Sequence, residues 1–149
     1  FPSARLFYEI GLVHNQQGEL DEALKCYERS LQIDPNYQAS LYDQAEIYLL
    51  RSNVVEAKKN LVQISLQDGH HWVVDYRLAQ IFATEANVTK MEFHLKRAIQ
   101  FGLPQQVLKE DHAQWVPRLQ NDSVALTLEM FLQALGASDV WEEWSKPKK

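Results

Sequence analysis

The sequence LFYEIGL (residues 6–12) returns in altered form twice further along the chain, as SLYDQAE (residues 40–46) and VDYRLAQ (residues 74–80). In each stretch a tyrosine stands three positions before a glycine or an alanine, and consecutive tyrosines are 34 residues apart. These tyrosines are Tyr8, Tyr42 and Tyr76. Because a fixed interval of about 20–50 residues is the signature of a repeat array, the spacing predicts similar units placed one after another.

The 34-residue register extends beyond the tyrosines. Small residues align at Gly11, Ala45 and Ala79, ring-bearing residues at His14, Tyr48 and Phe82, and larger side chains at Tyr27, Leu61 and Leu95. The register therefore predicts three repeats, at residues 4–37, 38–71 and 72–105.

Each repeat has the apolar spacing of two helices. In the first repeat, apolar side chains recur in steps of three and four, the period of a helix with one buried face. Ser3 is a plausible cap of the first helix, and Gly18 separates it from the second. Pro35 ends the second helix because proline cannot continue it. Each repeat is thus predicted to be a pair of antiparallel helices.

The first repeat carries Phe7-x2-Ile10-Gly11-x2-His14, then Ala23-x3-Tyr27 and Pro35. This resembles the tetratricopeptide repeat, whose pattern W-x2-LG-x2-Y, A-x3-F and P also extends over about 34 residues. The resemblance covers residues 4–105 and implies an all-α, right-handed solenoid of helix-turn-helix repeats.

The later repeats depart from this pattern. In the second, Gly69 stands where the family has its proline. In the third, Asp75 occupies the place of a large apolar residue and Met91 that of a small one. We expect the packing of the third repeat to be shifted by about a residue.

The rest of the chain is predicted to close the array. Residues 106–136 form a capping helix pair, in which Pro117 kinks or ends the first helix and Asp122 or Ser123 caps the second. Residues 137–149 form a short acidic and aromatic helix followed by a frayed tail. Terminal repeats are atypical because one of their faces meets solvent.

The family resemblance implies that the first helices of all repeats line a concave side, where equivalent positions form ladders. A tyrosine ring there offers contact area at a low entropic cost, which suits the capture of an extended or helical peptide. The predicted partner-binding residues are Tyr8, Leu12, Asn15, Tyr42, Glu46, Leu49, Tyr76, Arg77 and Gln80. The alternative is that the tyrosines merely pack between neighbouring first helices, and a ring half packed and half exposed satisfies both interpretations.

One family subtype grips acidic chaperone tails with a carboxylate clamp of lysine, asparagine, asparagine, lysine and arginine. The corresponding positions here hold Tyr8, Leu12, Asp43, Val73 and Arg77. Only the arginine matches, and Asp43 would repel a carboxylate. We therefore predict that this chain does not capture chaperone tails.

Composition excludes several function classes. The formal charge of −5 disfavours nucleic acid, and the single cysteine, Cys26, excludes an intrachain disulfide and a multi-cysteine zinc site. No apolar run approaches the ~18 residues of a membrane span. The chain contains no HExxH or GxSxG motif and no phosphate loop. We expect no catalytic residue, cofactor, metal or membrane insertion, and a soluble protein, cytoplasmic rather than periplasmic.

The predicted function is protein–protein interaction through the concave face, as an adaptor or assembly factor. One alternative is a homo-oligomeric scaffold that self-associates through Trp141 and Trp144, which share a side if helical. The other interpretation of this pair is that it closes the hydrophobic end of the stack. A further alternative is an accessory domain of a larger multidomain enzyme or signalling regulator, since the chain begins at Phe1 without a methionine.

Overall fold

The computed structural model describes residues 2–146, apart from the side chains of His112, Ala113 and Val116. The fraying predicted for residues 147–149 lies outside the described residues. Residues 2–146 contain helices and turns and no β-strand. The predicted all-α class is therefore confirmed.

Three helix pairs follow the predicted register. They are α1 (Ala4–Gln16) with α2 (Leu20–Ile33), α3 (Gln38–Leu50) with α4 (Val54–Ser65), and α5 (Trp72–Thr84) with α6 (Val88–Gln100). The first helices begin at residues 4, 38 and 72 and the second at residues 20, 54 and 88, so both sets keep the 34-residue interval. Ser3 caps α1, its hydroxyl accepting a hydrogen bond from the Leu6 amide at 3.0 Å. The chain divides between His70 and His71 into two compact units, called here the N-terminal and C-terminal units.

The turn inside each pair has the same backbone geometry. One residue per turn is left-handed: Gly18 (φ 78°), Ser52 (φ 58°) and Ala86 (φ 57°). The next amide then bonds back to a carbonyl in the last turn of the first helix, as in Glu19 to His14 (2.9 Å), Asn53 to Tyr48 (2.8 Å) and Asn87 to Phe82 (2.9 Å). This bond satisfies a carbonyl that the helix end leaves without an intrahelical partner. Only the first turn has the glycine that such a backbone favours.

In the N-terminal unit, α1 packs closely on α2 at Gly11. A Cβ atom at Gly11 would lie 2.7 Å from Cε1 and 2.8 Å from Cδ1 of Tyr27, whose side chain is fully buried. Two serine hydroxyls connect α2 to both α1 and α3 by hydrogen bonds. The Ser40 hydroxyl on α3 donates to the Ser30 hydroxyl at 2.7 Å, and the Ser30 hydroxyl donates to the Ala4 carbonyl on α1 at 2.8 Å. A glycine is thus required where the large ring of Tyr27 approaches the α1 backbone.

In the C-terminal unit, the third repeat keeps its register, so the predicted shift of its packing by a residue does not occur. Met91 is fully buried, as is Asp75. The Asp75 carboxylate lies 2.7 Å from Nδ1 of His94 and 3.9 Å from Nη1 of Arg97. A buried carboxylate is tolerated when it is paired and hydrogen-bonded, and these partners explain how aspartate replaces a large apolar residue here.

The segment after α6 is more broken than the two predicted helices. It consists of α7 (Gln105–Glu110), α8 (His112–Trp115), a 3-10 helix (Val116–Gln120), α9 (Asp122–Ala134) and α10 (Ser138–Trp144). The first interruption falls at Asp111, before Pro117, and α9 is capped by Asn121 instead of Asp122 or Ser123. The Asn121 side chain accepts from the Val124 amide at 3.1 Å. Helix α9 packs on α6, and α10 packs on α7, α8 and α9.

Candidate protein-binding surface

Tyr8 on α1 belongs to an aromatic group in the N-terminal unit. Its half-buried ring lies 5.9 Å from the ring of Tyr27 and 5.8 Å from that of Tyr37, measured between centroids. The Tyr27 hydroxyl accepts a hydrogen bond from Nδ2 of Asn15 at 3.4 Å, and burial raises the pKa of Tyr27 to about 12. The Tyr8 ring is therefore supported by α2 and by the residue that precedes α3, while part of it stays accessible.

The Tyr8 hydroxyl forms a hydrogen bond with the carboxylate of Asp43 and so links α1 to α3. Burial, together with the negative charge of Asp43, raises the pKa of Tyr8 well above its usual value, so the hydroxyl keeps its proton and donates it. Burial also raises the pKa of Asp43, although the bond from Tyr8 opposes this shift and the charge of Glu46 adds to it. Asp43 is thus a half-buried carboxylate held by a tyrosine.

The other predicted residues of the N-terminal unit are partly exposed as well. We define the α1–α3 surface as the half-buried residues Tyr8, Leu12, Asn15, Tyr42, Asp43, Glu46 and Leu49. It combines two tyrosine rings, two aliphatic side chains, an amide and two carboxylates, and none of these residues is basic. Such a mixture provides apolar contact area together with a negative charge.

In the C-terminal unit, by contrast, two of the three predicted residues are covered by the chain itself. Tyr76 and Gln80 are each 3% exposed. Nε1 of Trp115 donates to the Tyr76 hydroxyl at 2.8 Å, and Nε of Arg118 donates to the Gln80 carbonyl at 2.8 Å. Arg77 is half-buried, with Nη1 at 3.4 Å from Oε1 of Gln80. At Tyr76 and Gln80 the structure therefore places an internal contact where the sequence predicted contact with a partner.

Sequence reasoning assigned Trp115 to packing but did not predict which residues Asp43, Trp115 and Arg118 contact. Asp43 was considered only as an obstacle to a carboxylate clamp, although it directly follows a predicted ladder tyrosine. Trp115 and Arg118 meet α5 after a chain separation of 39 and 38 residues. No local pattern specifies a contact of that range.

The two tryptophans of the predicted tail have different environments. Trp144 is 1% exposed, stacks on Trp115 at 5.3 Å between ring centroids, and donates from Nε1 to the Leu108 carbonyl at 2.9 Å. Trp141 is half-buried. Trp144 thus closes the C-terminal unit internally, and Trp141 is the member of the pair that a second molecule could reach.

A separate apolar strip lies along the outer edge of α1. Leu6, Ile10 and Val13, spaced as neighbours on one helix side, are 48%, 41% and 52% exposed. In the 34-residue register their equivalents on α3 and α5 are all buried. These equivalents are Ser40, Gln44 and Ile47 on α3, and Val74, Leu78 and Ile81 on α5. The α1 edge therefore has the composition of a packed helix face.

Among the side chains that the structure describes, which leave out His112, no three His, Cys, Asp or Glu residues are placed to bind a metal ion together. None of the helices described there is both long and apolar enough to cross a membrane.

Helix pairs in a 34-residue register, with rings and polar groups on their first helices, are consistent with a solenoid of tetratricopeptide repeats. The family model for the tetratricopeptide repeat matches residues 4–37, which are the first predicted repeat, so the resemblance is confirmed there. Repeats of this family are protein–protein interaction modules, and the chain is assigned to that broad class.

Two relatives share part of the sequence. Protein NPGR2 of Arabidopsis thaliana is 30% identical over 95 residues, which cover 61% of this chain and 13% of that protein. The uncharacterized protein ycf37 of Guillardia theta is 37% identical over 65 residues, covering 44% of this chain and 36% of that protein. The similarity thus spans a small part of the first relative and about a third of the second.

Proposed function

We propose that the α1–α3 surface binds a peptide or an extended protein segment, and that the protein acts as an adaptor or assembly factor. The observation that carries this proposal is the half-buried state of Tyr8 and Tyr42. Rings held in one orientation but still accessible lose little entropy when a partner docks on them. The family resemblance at residues 4–37 supports the same interpretation.

The test is a comparison of Tyr42→Ala with a control variant, Leu66→Ala, in a binding assay on any partner recovered with the wild-type chain. Leu66 is 81% exposed and lies outside the α1–α3 surface, so its loss should leave binding unchanged. Tyr42→Ala should fold with an unchanged circular dichroism spectrum and lose the partner. If Tyr42→Ala retains every partner at wild-type affinity, the proposal fails.

A second candidate function is self-association, and the α1 edge is the observation that favours it. Leu6, Ile10 and Val13 expose aliphatic surface at positions that the other first helices bury. The predicted route through Trp144 has less support, because that ring already packs inside its own unit. Light scattering tests this candidate: the mean mass should rise with concentration, and Ile10→Asp should suppress the rise. A constant monomer mass for the wild type would exclude it.

A third possibility is that these repeats form an accessory region of a larger enzyme or signalling regulator. Its support is that both relatives are much longer than the segment they share with this chain, which forms 13% of one and 36% of the other. The sequence of the complete gene would decide this point, because a catalytic or DNA-binding region beside the repeats is what this possibility requires.

A further inference from the structure

A cleft in the C-terminal unit lies between the end of α5 and the segment that precedes α9. Its volume is about 380 Å³, which is in the range of sites for small ligands. The residues that line it are Ala83, Thr84, Pro117, Arg118, Gln120 and Asn121. The cleft is therefore separate from the α1–α3 surface, and it includes none of the carboxylate-clamp positions on the first helices.

One main-chain carbonyl holds Arg118 at this cleft. The Gln80 carbonyl accepts from Nε of Arg118 at 2.8 Å and from the Thr84 hydroxyl at 3.1 Å, so these two side chains meet at one acceptor. The guanidinium also lies over the ring of Trp115, at 5.9 Å from the ring centroid. Because Nε is used in this way, the donors that Arg118 can offer a ligand are those of Nη1 and Nη2.

The charge of Arg118 is not balanced by a carboxylate in the part of the chain that the structure describes. None of the ion pairs formed there includes Arg118, although Asp122 follows only four positions later. Burial is the main cause of a lowered pKa of Arg118; the Tyr76 hydroxyl opposes this shift, and the charge of Arg77 adds to it. Since arginine stays protonated in proteins, this half-buried cation is less stable here than in water. An anion in the cleft would offset that cost.

A neighbouring side-chain amide adds a second donor to the cleft. Oδ1 of Asn121 accepts from the Val124 amide at 3.1 Å as the cap of α9, which leaves the Nδ2 hydrogens for another acceptor. An ionised carboxylate is a group that only accepts hydrogen bonds. Its two oxygens also match the planar guanidinium of Arg118 in a bidentate pair. The donors of the cleft therefore favour a carboxylate.

We propose that this cleft binds a carboxylate group, with Arg118 donating to both oxygens and Asn121 donating to one of them. The carboxylate belongs to a free organic acid or to an acidic side chain of a protein, and the test separates these two sources. Ala83 and Pro117 provide apolar walls for the short hydrocarbon chain that both sources carry. This inference goes beyond the proposed function, because it concerns another unit of the chain and another ligand.

The test is a nuclear magnetic resonance titration of the intact chain with two carboxylates and their neutral counterparts. The free pair is butyrate and butyramide, and the peptide pair is acetyl-Gly-Glu-Gly-amide and the same peptide with glutamine. A carboxylate probe should shift the Nε resonance of Arg118 and the backbone amide resonances of Thr84 and Asn121 in a saturable way. Its neutral counterpart should bind at least about tenfold more weakly, since a charge-assisted pair is lost. High salt should weaken binding of the carboxylate.

Two arginine variants locate the site of binding. Arg118→Gln should raise the Kd of the carboxylate probe at least about tenfold, because the cation of the cleft is removed. Arg5→Gln removes the same charge from α1, where the side chain is 78% exposed, and should leave the Kd unchanged. Circular dichroism checks that both variants fold. If Arg118→Gln does not fold, the resonances shifted in the wild-type chain decide the question.

The outcomes separate the two sources and also overturn the inference. Saturable shifts with butyrate mean that a free organic acid is sufficient, whereas shifts with the glutamate peptide alone mean that the carboxylate comes from a protein segment; both results support the inference. It is wrong if neither carboxylate shifts these resonances, if the neutral counterparts shift them equally, or if folded Arg118→Gln keeps the wild-type Kd. The partner assay with Tyr42→Ala decides the proposed function separately.

Discussion

Replacing Gly11 by alanine should destabilise the N-terminal unit, although alanine is the better helix former. The added Cβ would lie 2.7 Å from a ring carbon of Tyr27. That ring cannot easily move aside, because it is fully buried, stacked on Tyr8 and bonded through its hydroxyl to Asn15. Overpacking of this kind costs about 1–3 kcal/mol, and the higher helix propensity of alanine offsets about 1 kcal/mol of it. The expected net loss is about 1 kcal/mol.

A compensating change at Tyr27 sharpens the test. The second repeat combines Ala45 with Leu61 at these two positions, so Gly11→Ala with Tyr27→Leu should reproduce a combination that the chain already uses. Tyr27→Leu alone should cost about 1–3 kcal/mol through lost packing. In a double-mutant cycle measured by urea unfolding, we expect a favourable coupling of about 1 kcal/mol or more. As a control, Ala45→Gly should destabilise, because it lowers helix propensity and removes a buried methyl group. The reasoning is wrong if Gly11→Ala stabilises the protein or if the coupling is within about 0.5 kcal/mol of zero.

Three further predictions follow from single contacts. Ala86→Gly should raise the free energy of unfolding by about 1 kcal/mol. The reason is that Ala86 has a left-handed backbone (φ 57°), which costs a non-glycine residue about 1–2 kcal/mol. An unchanged or lower melting temperature would contradict this. Trp115→Phe should cost at least about 1 kcal/mol in urea unfolding, because the Tyr76 hydroxyl loses its indole donor; a variant as stable as wild type would show that the bond is unimportant. Burial raises the pKa of Asp43 above its ordinary value of 3.8. The folded protein therefore binds a proton at Asp43 more tightly than the unfolded chain does. As the pH rises from the pKa of Asp43 in the unfolded chain to its pKa in the folded protein, the free energy of unfolding falls. Asp43→Asn should therefore gain stability relative to wild type as pH rises through that window, and a difference independent of pH would refute this assignment.

The helix pairs could be predicted from the sequence because their signal is local and repeated. The interval between equivalent residues fixed where α1, α3 and α5 begin, and Ser3 marked the cap of α1. The left-handed turns at Ser52 and Ala86 were not predicted, since neither residue favours that backbone. The hydrogen bonds that close these turns use main-chain atoms, so the geometry repeats where the glycine signal is absent.

The candidate site could be predicted only in part, because residues at equivalent positions of the 34-residue register are not equally buried. Tyr8 and Tyr76 occupy equivalent positions, yet one is half-buried and the other is 3% exposed. The difference arises from Trp115, which reaches Tyr76 from 39 residues further along the chain. The helix break at Asp111 that precedes α8 has no proline or glycine beside it, so the sequence predicted a continuous helix and missed the contact.

Two carboxylates replace neutral residues in this architecture, and their surroundings separate a structural role from a binding role. Asp75 is fully buried, and His94 and Arg97 approach it within its own unit, so its charge is compensated by the fold. Asp43 is half-buried, accepts from the neutral hydroxyl of Tyr8, and has a pKa raised by burial and by Glu46. The ionised carboxylate of Asp43 therefore lowers the free energy of unfolding relative to a neutral side chain at the same position. This contrast shows that the fold compensates the charge of Asp75 more completely than that of Asp43.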